Sequence, residues 1–329
     1  MPIVTRRVGV ARAPEALAIV FMGIIAFAAH TTGVSLLLFP ELAALSHDVL
    51  SRPRGKWASQ PLLLILTPTT TAIIGIFVTR HAQYGAAAIA GIVLLSLLAI
   101  KLLRSTVAPA ISAGVLPMVL SERSWIYPVA IFVDLISLVG ILLLWQRFGP
   151  RHEEISEKEA EHSAIVDALE VPPRDRFWLV ALLTFVLVLG ICAQVGGLRF
   201  LLFPPLIVMA YEIFGHSEVP AWMARPAFFP LVCLLTASVG TLACRAFQPS
   251  FLGVAVTMLV SIGILRAFKV HMPPALAVGV LPFVMVAPTF RYPVSVTLGT
   301  AALTLYAAGY RALQRTYRQR NAVTAELIR

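Results

Sequence analysis

Apolar residues in this chain come in long blocks rather than in the alternating or 3.6-residue patterns of soluble elements. Eight blocks are long enough to cross a bilayer as helices, which takes about 20 residues each: 15–30, 61–79, 84–103, 126–146, 177–195, 226–244, 250–266 and 291–310. Two pairs of shorter apolar stretches lie between them, each broken by Pro or Gly. GVSLLLFPELAAL (33–45) is matched by GLRFLLFPPLIVM (197–209), and VAPAISAGVLPMVL (107–120) by HMPPALAVGVLPFVM (271–285). Pieces of this length predict re-entrant or discontinuous helices that line a wet interior, because irregular backbone at membrane depth must be covered by protein or water. The alternative is that each short piece crosses completely, giving six crossings per half.

Those matched pairs belong to an internal repeat. Sliding the chain on itself by about 165 residues sets LLLFPELA on FLLFPPLI, Trp57 on Trp222 and Pro61 on Pro226. The same shift sets Gly75 on Gly240, Arg80 on Arg245, Gln83 on Gln248, GVLP (114–117) on GVLP (279–282), and Tyr127-Pro128 on Tyr292-Pro293. A period this long means two domain-sized halves, not a solenoid. The expected fold is an all-α polytopic membrane protein of two parallel repeats. Each repeat has about four spans and two short broken helices, with a first repeat at 1–148, a linker at 149–176, a second repeat at 177–310 and a basic tail at 311–329.

Composition agrees with this picture: of 329 residues, 59% are hydrophobic and 13% charged, and the mean hydropathy is +0.87. These values exclude an ordinary soluble domain. The formal net charge is +10, while the linker holds 8 of the 16 acids and only 4 of the 26 Lys and Arg. The positive-inside rule accounts for the remaining basic excess better than nucleic-acid binding does. It places the arm with Arg6, Arg7 and Arg12, the linker and the tail in the cytoplasm, and the chain in the cell membrane. The first apolar run leads into TTGVSLLLFP with no small-residue cleavage pattern, so it reads as a span. Cys192, Cys233 and Cys244 lie in apolar segments at no metal-ligand spacing, and neither a metal nor a cofactor is expected.

Candidate chemistry gathers at the second pair of short stretches. Lys101 and Arg104 are three residues apart, hence on one helix face, directly before 107–120. Arg266 and Lys269 stand in the same relation to 271–285. Pro109 and the pair Pro273-Pro274 suit a first helical turn, whose positive dipole end attracts anions. Thr106 and its counterpart His271 sit between the charges and the prolines. Arg199, beside Gly196 and Gly197, is a further binding candidate. Asp134, alone in the span YPVAIFVDLISLVG, is expected to carry a proton or pair with Lys101 or Arg104.

The LLLFPELAAL and PLLLILTPTTTAIIGIF stretches, with a Pro-Ala-containing segment after a basic helix end, resemble the HPP family of integral membrane proteins, named for a His-Pro-Pro motif. HMPPALA places Met272 where that family has its histidine, and His271 one position earlier. The resemblance covers each half separately, as two fused units. It implies an inorganic anion, nitrite or nitrate, as substrate. The expected function is a transporter or channel whose partners are the bilayer, the anion and, as an option, further copies of the chain, with no nucleic acid. Two rival classes stand beside it: a scaffold or sensor recruiting partners through the linker or tail, and a membrane enzyme, for which the sequence offers no nucleophile, base or metal constellation.

Overall fold

A computed structural model describes residues 3–149, 173, 177–216 and 226–327, with side chains described from 13 to 316 within those ranges. Most of the acidic linker, Trp222 and the side chains of the far basic tail lie outside the described residues. Everything described is helix, short 3-10 turn or connection. The first half contains α1 (Ile3–Thr32), α2 (Glu41–Ser51), α3 (Pro61–His81), α4 (Ala86–Leu102), α5 (Ala110–Leu120) and α6 (Ile126–Phe148). The second contains α7 (Phe177–Val195), α8 (Pro204–Gly215), α9 (Phe228–Phe247), α10 (Phe251–Phe268), α11 (Pro274–Val280), which continues as a 3-10 turn to Val284, and α12 (Arg291–Leu327).

Six helices among the described residues are long and apolar enough to span a bilayer: Ala13–Thr32 of α1, then α3, α6, α7, α9 and α10. This is a polytopic helical membrane protein. Two of the eight expected spans are not among the six. The block at 84–103 folds as the 17-residue α4, and 291–310 is the first part of the 37-residue α12, which runs on without a break into the polar and basic tail. The long helices turn apolar side chains outward, as bilayer contact requires: Ile24 and Phe27 on α1, Leu62 and Phe77 on α3, and Leu143 and Leu144 on α6 are all exposed.

The short helices occupy the centre. Every residue of α11 is buried, as are ten of the eleven in α5, from Ala110 to Val119. Side-chain bonds to α5 and its flanks fix the course of that segment. Trp57 Nε1, before α3, donates to the Thr106 carbonyl at 2.9 Å. Thr71 Oγ1, in mid-α3, donates to the Ala110 carbonyl at 2.6 Å, and Arg80, at the end of α3, donates to the Arg123 carbonyl at 3.3 Å. Residues 103–123 therefore run alongside α3, as irregular turns for the first part and helix for the second. Residues 33–52 run the other way. They start at the end of α1 and finish where His47 lies 3.9 Å from Glu15, near the start of the apolar part of that helix, Ala13–Thr32. Glu15 and Thr32 are 17 residues apart, about 26 Å along a helix. In the first half neither short segment turns back within the bundle; each follows it from one end toward the other. The bundle thus has a Glu15 end and an Arg80 end.

Residues matched by the 165-residue shift make matched contacts. Tyr127 donates to the Ala113 carbonyl at 2.8 Å, and Tyr292 to that of Val278 at 2.7 Å. A side chain at Gly75 would fall on the Gly114 carbonyl, and one at Gly240 on that of Gly279, so both helix pairs close to backbone contact. The halves also exchange partners: α1 packs on α10 and α2 on α11, while α7 packs on α4 and α8 on α5.

Candidate functional site

The end of α10 and the start of α11 build one wall of a cavity of about 230 Å³, and α1 and α2 of the other half build the opposite wall. Arg266, Lys269, His271 and Pro273 line it together with Glu15 and His47. Arg266 Nη2 lies 2.5 Å from Glu15 Oε2, and His47 Nε2 lies 3.9 Å from Glu15 Oε1. Behind this pair, His271 Nε2 stands 3.7 Å from Asp48 Oδ1. Arg52 grips the same carboxylate through Nε at 3.1 Å and Nη2 at 2.9 and 2.8 Å. Asp48 is only 2% exposed, so these partners supply what its charge loses on leaving water.

Four of the sequence candidates thus meet in one place, and Pro274 follows as the buried first residue of α11. The matched residues of the first half line no such cavity among the described residues. Lys101 and Arg104 are exposed and make no ion pair with a described residue. Thr106 is half-buried and offers its carbonyl to Trp57, and Pro109 is the buried residue before α5. Arg199 belongs to the Arg80 end. It donates to Ser121 Oγ at 2.6 Å and lies over the Tyr84 ring, 4.6 Å from its centroid. Asp134 is fully buried, with neither carboxylate oxygen hydrogen-bonded to a described residue. It is not paired with Lys101 or Arg104.

Two features differ from the sequence expectation. Proline at the head of a helix brings no N–H, and the next amides are already used. Ala275 N donates to Met272 O and Leu276 N to Pro273 O; in α5, Ala110 N donates to Val107 O and Ile111 N to Ala108 O. The helix starts therefore supply a dipole but few free donors, and the side-chain cations carry whatever anion affinity the cavity has. Second, Arg104 and Lys269 each adopt φ of 53° as the left-handed residue that ends the preceding helix. Ser105 N bonds back to Ile100 O, and Val270 N to Leu265 O. This is the Schellman closure, in which glycine is usual. A basic residue there also complements the negative helix end.

Glu15, His47, Asp48 and Arg52 join the site without having been anticipated. The signal was present: Glu15 is a lone acid opening an apolar block, and His47-Asp48 interrupts another. Among the described residues, Glu15 and Arg266 neutralise each other, Arg52 offsets Asp48, and Lys269 has no acidic partner. The lining is therefore net positive, and it is assembled from both halves. Among the described residues no group of three or more His, Cys, Asp or Glu is placed to hold a metal ion. No family model, curated protein or solved structure matches the chain.

Proposed function

We propose that the protein moves a small inorganic anion, nitrate or nitrite first, across the membrane. In this reading it is built of two parallel repeats of six crossings each, with the N-terminal arm, linker and tail in the cytoplasm. The observation that carries the proposal is the cavity at the Glu15 end, where Arg266 and Lys269, the latter without an acidic partner among the described residues, face a space large enough for a partly hydrated anion. The matched contacts of Tyr127 and Tyr292, and of Gly75 and Gly240, support the duplication. An even number of crossings per half keeps all three charged segments on one side, which the positive-inside rule makes cytoplasmic. The likeness to HPP proteins points to the same substrate class. No catalytic activity is part of this reading.

The pair Glu15–Arg266 joins α1 of one half to α10 of the other, so an anion arriving at Arg266 competes with a carboxylate for the same guanidinium. Such a bridge opens and closes with occupancy, which is how a binding site becomes a gate. The test is uptake of labelled nitrate and nitrite into proteoliposomes, with chloride and sulfate as competitors. Nitrate is the cleaner probe, because nitrous acid leaks through lipid. Saturable uptake above that of protein-free vesicles, weakened severalfold in Arg266→Ala, supports the proposal; flux equal to that of empty vesicles ends it.

A further inference from the structure

In the middle of the bundle, two half-length helices begin side by side and run apart. α2 starts at Glu41 and heads for the Glu15 end; α5 starts at Ala110 and heads for the Arg80 end. At their junction the Ser112 hydroxyl donates to Glu41 Oε1. Glu41 is 2% exposed, and its second oxygen, Oε2, is buried with no hydrogen-bond partner. A carboxyl group held at that depth with one bare oxygen is costly to keep as a fixed charge. The position matched to Glu41 in the second half is Pro205, so the repeat itself does not require an acid there.

We infer that Glu41 exchanges a proton during the transport cycle, so that anion passage is coupled to proton movement. This rests on the anion-transport reading. The step is simple: a proton taken from water that enters when the bundle opens at the Glu15 end binds Oε2, the neutral acid keeps the Ser112 bond, and the proton returns to water as the carboxylate is rehydrated. Two helix starts, each of eleven residues, turn their positive ends toward this group and stabilise its ionised form, while burial stabilises the neutral one. Opposed effects of this kind make a group able to cycle between states.

The titratable groups around Glu41 are arranged along α2. Asp48 lies seven residues on, two turns and about 10 Å away on the same face, and its partner His271 lines the cavity. From the other elements, Tyr127 on α6 and Tyr292 on α12 are within electrostatic reach of Glu41; their hydroxyls are spent on the carbonyls of Ala113 and Val278. Asp134, also on α6, was the sequence candidate for a proton carrier. It has no donor such as Ser112 and serves as the comparison.

The experiment loads proteoliposomes with a pH-reporting dye, clamps the membrane potential and imposes an inward nitrate gradient. Wild type is expected to acidify its lumen as nitrate enters. Glu41→Gln should keep nitrate counterflow exchange but lose the pH change at least tenfold, whereas Asp134→Asn should keep both. Ser112→Ala, a milder change, should move the pH midpoint of uptake upward, since the ionised carboxylate has lost a donor. Nitrate entry in wild type without a pH change overturns the coupling and leaves anion transport standing. An undiminished pH change in Glu41→Gln, or an unmoved midpoint in Ser112→Ala, overturns the role of Glu41 alone. Absence of nitrate flux in wild type removes the transport reading and this inference with it.

Discussion

Glu15→Gln should improve anion binding, an outcome opposite in sign to that of most substitutions in a binding site. In the folded protein Glu15 Oε2 sits 2.5 Å from Arg266 Nη2, and their side chains are 19% and 47% exposed. An anion entering the cavity shares the guanidinium with this carboxylate. Two like charges about 4 Å apart repel by about 4 kcal/mol at an effective dielectric constant of ~20. Because half of the Arg266 side chain meets solvent, screening reduces the usable part to about 1 kcal/mol. That corresponds to roughly a fivefold change in affinity. The apparent KM for nitrate, measured from initial uptake rates in proteoliposomes, should therefore fall about fivefold in Glu15→Gln and rise by a similar factor in Arg266→Ala. The double variant should resemble Arg266→Ala, because with the cation gone the carboxylate has nothing to withhold. A Glu15→Gln protein that folds normally but has an unchanged or higher KM would refute the competition.

Three other outcomes test the structure piece by piece. Lys269→Gly removes a charge but improves a left-handed position, so thermal unfolding in detergent should show stability unchanged or raised by about 1 kcal/mol while nitrate KM rises; a loss of stability would mean that the lysine head, not its backbone, holds the turn. Gly75→Ala and Gly240→Ala drive a methyl into a backbone carbonyl of the neighbouring helix and should each cost about 1–3 kcal/mol, whereas Gly91→Ala, with open space around it, should be neutral or stabilising by up to about 1 kcal/mol. Tyr127→Phe and Tyr292→Phe should each cost about 1 kcal/mol by leaving a buried carbonyl short of a donor, measured by thermal unfolding in detergent.

The sequence carried several matched contacts within each half and little of how the halves meet. Gly75 and Gly240, or Tyr127 and Tyr292, could be paired from their register alone, and each pair makes the same contact in its own half. Arg104 and Lys269 were visible as matched charges, but their left-handed backbone was not, because the residue type argues for a surface cation rather than for a position usually held by glycine. Short length flagged 33–45 and 107–120 correctly as broken segments. It could not say whether they return or continue, since that depends on where Trp57 and Arg80 find their acceptors. Glu15 escaped notice for a different reason. Its partner Arg266 lies 251 residues further on, across an exchange of helices that no local pattern encodes. Glu41 stood out only as part of the LLLFPELA repeat marker, although a single acid in an apolar run is the same signal that singled out Asp134.

The exchange of partners also sets a timetable for biogenesis. The surface that finally clothes α1 and α2 belongs to α10 and α11, and 219 residues separate the end of α1 at Thr32 from the start of α10 at Phe251. At a synthesis rate of about 5–20 residues per second, the nascent first half waits roughly 10–45 s for that cover. Throughout this interval Glu15 lacks Arg266 and Glu41 has no finished interior around it. Cutting the chain within the linker should therefore yield fragments that survive only when produced together in one cell, each serving as the other's chaperone until the swap is complete.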